Sequence, residues 1–344
     1  MIRDAISRVS SHRICLLPGD GIGPEVIAQA ARVLETLGLD LYFDSGEIGF
    51  GAYQKLGTPL PEETLAKIQR ADATLFGAVT TPPDIPGYFS PIIRLRQSFD
   101  LYANIRPCQS LPHPASRPGI NLVVVRENTE DLYSGIERLE DGGNRAVGEM
   151  VITRKASEKI IRKAFDLAGA RGFKKVTVVH KANVLRLTCG LFRRVALEIA
   201  PQYPNLTLEE MLVDTCAMEL VRAPEQFEVI VTTNLFGDIL SDEASMLVGG
   251  LGVAYSGNIG AAAAVFEPVH GSAPKLAGLS KANPIAAILS AGFMLEYLGE
   301  ASQAARLNHA VTTAIRLGQV TPDLGGALTT QSAADAIISH INSG

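Results

Sequence analysis

Short β-branched runs alternate along this chain with longer segments of helical period. Ala73–Val79, Leu122–Val125, Val176–Val179 and Val229–Thr233 are the clearest apolar runs, and strands buried on both faces of a parallel sheet read in this way. The clearest helix follows Thr153. Ile160, Ile161, Ala164, Phe165, Leu167 and Ala168 form its apolar face, Gly169 and Gly172 mark its end, and a strand begins at Lys175. A second helix is predicted over Pro284–Leu298, with Pro284 near its first turn and Ile288, Leu289, Met294 and Leu295 lining it. This alternation predicts an α/β protein with a mostly parallel sheet. A short strand at Ile14–Leu17 precedes another helix. Residues 107–120 hold four prolines and read as a linker or long crossing loop, which places a domain boundary near residue 102.

Composition narrows the class. The 344 residues carry 31 Lys plus Arg against 36 Asp plus Glu, a net charge of −5, which argues against a dedicated nucleic-acid binder. With 47% hydrophobic residues, the chain can bury a large core in one large or two small domains. Its longest apolar stretches, 285–295 and 259–266, fall short of the roughly 20 residues of a membrane span. Arg3, Asp4 and Arg8 interrupt the N-terminus, so no signal-type segment is read there and a cytoplasmic protein is expected. Cys15, Cys108, Cys189 and Cys216 form no CxxC pair and read as reduced thiols.

Several polar residues could carry chemistry. Asp238 and Asp242 follow the strand 229–233, four residues apart at the mouth of a helix and on one face of it. Such a pair suits a hard divalent cation, Mg²⁺ or Mn²⁺; helix N-terminal acids stabilised by the macrodipole are the alternative. Asp214 matters only where the fold brings it near. Arg96, Arg106 and Arg126 each lie close to an expected element end, and three converging guanidiniums would imply a multiply anionic small substrate. Tyr133 and Lys181 are candidate proton-transfer groups, since a lysine beside a tyrosine lowers the phenol's pKa. Gly19-Asp-Gly21-Ile-Gly23-Pro24 is neither GxGxxG nor a P-loop. His270-Gly-Ser-Ala-Pro-Lys275 is a better cofactor candidate, because its small residues allow close backbone approach; an ordinary turn is the alternative.

Together, Pro18-Gly-Asp-Gly-Ile-Gly-Pro-Glu-Val26, Leu101-Tyr-Ala-Asn-Ile-Arg-Pro107, Val125-Arg-Glu-Asn-Thr-Glu-Asp-Leu-Tyr133, His180-Lys-Ala-Asn-Val184, Thr233-Asn-Leu-Phe-Gly-Asp-Ile-Leu-Ser-Asp242 and Phe266-Glu-Pro-Val-His-Gly-Ser-Ala-Pro274 resemble the decarboxylating β-hydroxyacid dehydrogenase family from about Ile14 to Ala333. The resemblance implies an isopropylmalate dehydrogenase-like two-domain fold with a mixed, mostly parallel sheet, not a Rossmann fold of the GxGxxG type. It implies a large cofactor-binding domain from 1–101 and 249–344, and a small domain, 102–248, with the dimer interface. Arg96, Arg106 and Arg126 would hold the substrate carboxylates, with Ser90 reaching a distal one. Asp238 and Asp242, with Asp214 of the partner subunit, would bind Mg²⁺ or Mn²⁺. Lys181, also from the partner, and Asp214 would help remove the hydroxyl proton, and Tyr133 would protonate the enol carbon. NAD or NADP would lie on His270, Gly271, Ser272, Ala273, Lys275 and Asn283. A homodimer or dimer of dimers with shared active sites is expected.

Substrate choice in this family is read near the first arginine. Phe89-Ser-Pro-Ile-Ile-Arg-Leu-Arg96 looks most like homoisocitrate dehydrogenases, as do Asp214-Thr-Cys-Ala-Met218 and Ser256-Gly-Asn-Ile-Gly260. Isocitrate enzymes carry Asn where Ile92 stands, and isopropylmalate enzymes carry leucine there. Some homoisocitrate enzymes have a basic residue at the position of Ile93. The reading is oxidative decarboxylation of a (2R,3S)-type 2-hydroxy-3-carboxy acid, homoisocitrate to 2-oxoadipate, with isocitrate and then 3-isopropylmalate as alternatives. This would place the chain in lysine-type biosynthesis. Lys275 stands where NAD-using relatives carry Asp, which predicts relaxed or NADP-shifted use, whereas Ala282 and Thr321-Pro-Asp-Leu-Gly-Gly326 look like the NAD class. A non-catalytic regulatory subunit and a metal-dependent phosphate-ester enzyme are the readings from other classes.

Overall fold

The computed structural model describes residues 11–82, 85 and 88–343. Arg3, Asp4 and Arg8 lie outside them. The chain runs β1 (Ser11–Gly19), α1 (Gly23–Glu35), β2 (Asp40–Ser45), α2 (Phe50–Leu56), α3 (Glu62–Arg70), β3 (Ala73–Ala78), α4 (Pro91–Ser98), β4 (Ala103–Gln109), β5 (Asn121–Glu127), β6 (Glu137–Glu140), β7 (Arg145–Gly148), α5 (Arg154–Ala170), β8 (Lys175–His180), α6 (Thr188–Ile199), β9 (Thr207–Leu212), α7 (Val213–Arg222), β10 (Val229–Thr232), α8 (Asn234–Leu247), β11 (Tyr255–Ile259), β12 (Ala264–Pro268), α9 (Ile285–Tyr297), α10 (Ala301–Arg316) and α11 (Thr330–Ser343). Contacts divide it into one unit of Met1–Pro91 with Val265–Gly344 and a second of Ile92–Ala264. The second unit contains all of the expected 102–248 segment and extends beyond it at both ends.

In the first unit β1 pairs in parallel with β2 and β3, and β3 with β12. Every residue from Ile285 to Leu295 is buried, so α9 is apolar all round because it is enclosed, with α1 and α10 against it. Among the described residues no helix is long and apolar enough to cross a membrane.

In the second unit β5, β10, β8 and β9 run parallel in that order, while β4 pairs antiparallel with both β5 and β11. Pairing is thus mixed and mostly parallel, within the α/β class. Cys216 and Leu220 of α7 and Leu240 and Ala244 of α8 cover Leu122, Val124 and Ile230 on one sheet face, and α5 packs on β5, β8 and β10. The Thr153 hydroxyl caps α5 by accepting from the Ala156 N–H at 3.1 Å. Gly169 lies inside this helix; the stop is Gly172, at φ +72°, where Phe173 N–H donates to Ala168 O and Gly172 N–H to Gly169 O.

The proline-rich segment is not a linker between domains. Pro107 lies within β4 opposite Val123, and 110–120 is the connection of an antiparallel pair, held by the Ser110 hydroxyl, which accepts from Ile120 N–H and donates to Arg117 O. The Val123 N–H donates away from β4, to Glu228 O at 2.8 Å, so proline opposite it costs no bond of the β4–β5 ladder.

Candidate active site

The second unit gathers three arginines, two aspartates and a tyrosine from two strands, two helices and a short turn. Arg106 lies in the middle of β4, not at an element end as expected, whereas Arg126 is the penultimate residue of β5 and Arg96 is in the last turn of α4. Arg106 Nη1 donates to Asp242 Oδ1 at 2.7 Å and to Ser241 Oγ at 2.8 Å, and its Nη2 donates to Asp238 Oδ1 at 3.2 Å. Arg126 Nη1 donates to the same Asp238 oxygen. Tyr133 donates its hydroxyl to Asp238 Oδ2 at 2.6 Å, and its ring lies 4.9 Å from the Arg126 guanidinium carbon.

Helix α8 begins at Asn234, so Asp238 and Asp242 lie in its second and third turns rather than at its mouth. The macrodipole fades beyond the first turn, and it does not account for this pair. Their i, i+4 spacing turns both carboxylates toward Arg106, as the shared helix face requires. Gly237 makes room: a Cβ there would lie 2.6 Å from Arg126 Cγ. Nothing in the apolar pattern marked this contact.

Electrostatics follow from this packing. Burial raises the Asp238 pKa, but Arg126, the Tyr133 hydroxyl, Arg106 and Arg96 outweigh it and the net shift is downward, so the group is a carboxylate near neutrality. Burial, then repulsion from Arg106, lowers Arg126 to about 10, which leaves it a cation at pH 7. Tyr133 is raised by burial and by its bond to Asp238, so it holds its proton across the neutral range. Within the chain the Arg126 guanidinium lies over the Tyr133 ring, and Lys181, expected at the site from the partner subunit, donates its Nζ–H to Asp214 Oδ1 at 2.5 Å. That pairing lowers the Asp214 pKa.

Among the described residues no group of three or more His, Cys, Asp or Glu converges on one point. Asp238 and Asp242 are hard oxygen donors on one helix face, of the type Mg²⁺ or Mn²⁺ takes with water or substrate oxygens completing its shell, so the chemistry of the donor set fits such an ion.

The first unit places the other candidates on loops. Ser90, half-buried, immediately precedes α4. The Gly19–Gly23 turn is a backbone junction: a Cβ on Gly19 would lie 1.9 Å from Ala78 O, and one on Gly21 2.0 Å from Ser272 O. Asp20, which the sequence reading passed over, ties this junction together. Its Oδ2 accepts from Phe50 N–H at 2.7 Å and Thr80 N–H at 2.8 Å, and its Oδ1 from Gly51 N–H at 2.8 Å. The Thr80 and Ser272 hydroxyls are 2.7 Å apart, which carries the junction into the 270–275 segment. There Ala273 takes φ +38°, Gly271 has open space around it and Lys275 is exposed. His270 Nδ1 is 3.0 Å from Gly271 O, while its Nε2 is buried with no hydrogen-bond partner. A buried, unpaired ring nitrogen is costly unless a ligand satisfies it, so this loop fits a dinucleotide. Asn283 donates to Asp323 Oδ2 at 2.9 Å and accepts from Ile285 N–H at 2.9 Å.

A guanidinium cluster faces a carboxylate pair, with a protonated phenol bonded to one of them, and a set of this kind suits a polyanionic acid beside a divalent cation. The profile of the isocitrate/isopropylmalate dehydrogenase family matches residues 13–337, and the chain belongs to that family. It is an NAD(P)-dependent decarboxylating dehydrogenase. The isocitrate/homoisocitrate dehydrogenase of Thermus thermophilus is 53% identical over 97% of this chain and 99% of its own length. The homoisocitrate dehydrogenase of Methanocaldococcus jannaschii is 48% identical over 96% of this chain and 97% of its own, and the 3-isopropylmalate dehydrogenase of Methanothermobacter thermautotrophicus is 48% identical over 97% and 99%. Among solved structures, isocitrate dehydrogenase from Methylococcus capsulatus superposes with a TM-score of 0.92 at 46% identity, covering 96% of this chain and 99% of that one.

Proposed function

We infer that the protein oxidises and decarboxylates homoisocitrate to 2-oxoadipate. The observation that carries the chemistry is the convergence of Arg106 and Arg126 on Asp238, with Tyr133 bonded to the same carboxylate. The choice of homoisocitrate rests on Ser90 to Arg96, where Ile92 replaces the asparagine of isocitrate enzymes. The name of the Thermus relative, which covers both acids, supports keeping isocitrate as the second reading.

Mg²⁺ or Mn²⁺ would be held by Asp238 and Asp242 with Asp214 of the partner subunit, and when bound supplies Lewis acidity at the substrate oxygens. NAD or NADP would be held by His270, Gly271, Ser272, Ala273, Lys275 and Asn283, and when bound supplies the hydride acceptor. Arg96, Arg106 and Arg126 bind the substrate carboxylates through their Nη edges and fix the hydroxyl carbon and the departing carboxylate relative to one another. Lys181 and Asp214, which are paired with one another, act together in removing the hydroxyl proton. After carbon dioxide leaves, Tyr133 delivers its proton to the enol carbon; its raised pKa keeps that proton available.

The domain roles follow the same reading, with 1–101 and 249–344 as the large cofactor-binding domain and 102–248 as the small domain that dimerises. Met218 and Val221 on α7 and Ile239 and Met246 on α8 are each more than half exposed, and an apolar face of this kind fits a second copy of the chain. Because Lys181 and Asp214 are assigned across subunits, activity should fall when the protein is diluted to monomers. Initial rates with Mg²⁺ on homoisocitrate, isocitrate and 3-isopropylmalate, each with NAD⁺ and NADP⁺, test the assignment as kcat/KM ratios. A homoisocitrate advantage is expected; an isocitrate advantage overturns the substrate and leaves the chemistry standing.

A further inference from the structure

The two buried arginines of the site are held in the same way. Arg106 donates its Nε–H to Asn104 Oδ1 at 2.7 Å, and Arg126 donates its Nε–H to Asn234 Oδ1 at 3.0 Å. Both asparagines have no exposed surface. Each amide is also fixed from its other end. Asn104 Nδ2 donates to Asn258 Oδ1 at 2.9 Å, an oxygen that also accepts from Asn128 Nδ2 at 3.0 Å, and Asn234 Nδ2 donates to Glu130 O at 3.1 Å. An amide flip would turn an NH₂ group against a guanidinium and an amide oxygen against Asn258 Oδ1 or Glu130 O, so each carbonyl is locked toward its arginine.

A guanidinium carries its donors in one plane, so a bond at Nε sets where the two Nη groups point. A carboxylate at Nε would do this and also neutralise the cation; an amide carbonyl does it without charge. The Nη edges face Asp238, Asp242 and Ser241. We propose that Asn104 and Asn234 are positioning residues that fix the planes of Arg106 and Arg126, so that their Nη edges point to the Asp238–Asp242 side of the site where the substrate's carboxylates bind, without adding a further negative charge to the two that already face them. This rests on the reading of those arginines as the carboxylate-binding groups.

The test is a double-mutant cycle read by calorimetric binding of malate, a dicarboxylate probe, in the presence of Mg²⁺. Asn104→Ala weakens malate binding about tenfold or more, the loss of a hydrogen bond to a charged group. In an Arg106→Lys background, which has no Nε–H, the same change has less than about a twofold effect. Asn104→Asp keeps the shape and the acceptor at Nε but replaces the NH₂ facing Asn258 Oδ1 with oxygen and adds a charge, so it also weakens malate by about tenfold and raises the KM for the acid while the KM for the nucleotide stays put. Equal losses from Asn104→Ala in both backgrounds, or malate bound as tightly by Asn104→Asp as by the parent, overturn the positioning role. Where Asn104→Ala fails to fold, the isosteric Asn104→Asp carries the test. A parent protein that neither binds malate nor turns over any of the three acids overturns the reading of the arginines themselves.

Discussion

The arginine–aspartate cluster of the second unit and the glycine junction of the first are both densely hydrogen-bonded, yet they are built from different parts of the chain. In the cluster, side chains meet side chains: Arg106 and Arg126 share Asp238, and amides hold the guanidiniums from behind. At the junction, backbone meets backbone, with Ile22 N–H on Ser272 O at 2.9 Å and Asp20 N–H on Ala78 O at 2.7 Å. A substitution in the cluster should therefore change charge and chemistry, while one at the junction should change geometry and stability.

The largest expected effect separates the two. Arg126→Lys removes the Nε–H and the planar fork from a position almost wholly buried, and kcat/KM should fall about a thousandfold, roughly 4 kcal/mol of transition-state stabilisation. Steady-state rates per folded molecule, with the folded fraction taken from circular dichroism, check this. Retention of more than a tenth of the parent activity would mean that the cluster tolerates a point charge in place of the fork.

Asp20→Ala is the counterpart at the junction. It strips the acceptor from three backbone N–H groups and should cost about 3 kcal/mol of stability at roughly 1 kcal/mol each. Urea unfolding would show a lower midpoint with an unchanged slope. A loss confined to activity would make Asp20 a participant in the site and dissolve the contrast between the regions.

The same contrast explains what could be read without coordinates. The apolar runs that became β3, β5, β8 and β10 were legible because burial on both faces imposes a continuous pattern. The charged site residues were legible as types and, through the family motifs, as a set. The supports were not. Gly237 matters only because Arg126 crosses α8 there, and the asparagines matter through partners up to 154 positions away in sequence. The prolines of 107–120 misled because Pro107, in a pair that is not hydrogen-bonded, leaves β4 intact, while the other three lie in the connection between β4 and β5. Asp238 and Asp242 looked like helix-mouth acids because α8 starts at Asn234 with no capping side chain to mark its first turn.

Charge reversal at the exposed Lys275 should have a smaller effect than either substitution above. Lys275→Asp places a carboxylate where a 2′-phosphate would be repelled and a ribose hydroxyl bonded, so the NAD⁺ to NADP⁺ ratio of kcat/KM should rise about tenfold, or 1.4 kcal/mol. An unchanged ratio would remove Lys275 from the nucleotide site and leave the 270–275 loop defined by its backbone alone, as at the glycine junction.

The last effect is a pH slope between the two regimes, at a carboxyl that sits beside the cluster yet serves the backbone. Glu130 accepts from the Thr153 N–H at 2.8 Å, and its own carbonyl accepts from Asn234. Burial pushes its pKa up to about 7; the Thr153 donors pull it down, and Glu127 and Asp131 add to the rise. Above the unfolded value of 4.5 the folded protein holds a proton that the unfolded chain has released. This group therefore makes stability fall as pH rises from about 4.5 through about 7, and adds no further slope beyond. Glu130→Gln keeps the acceptor and removes the titration. The variant should match the parent near pH 4 and melt at a higher temperature than the parent at pH 8, as thermal unfolding followed at both values will show. A variant less stable at pH 8 would mean that the carboxylate charge itself supports the turn before α5, and would move Glu130 from the backbone-serving class to the charge-bearing one.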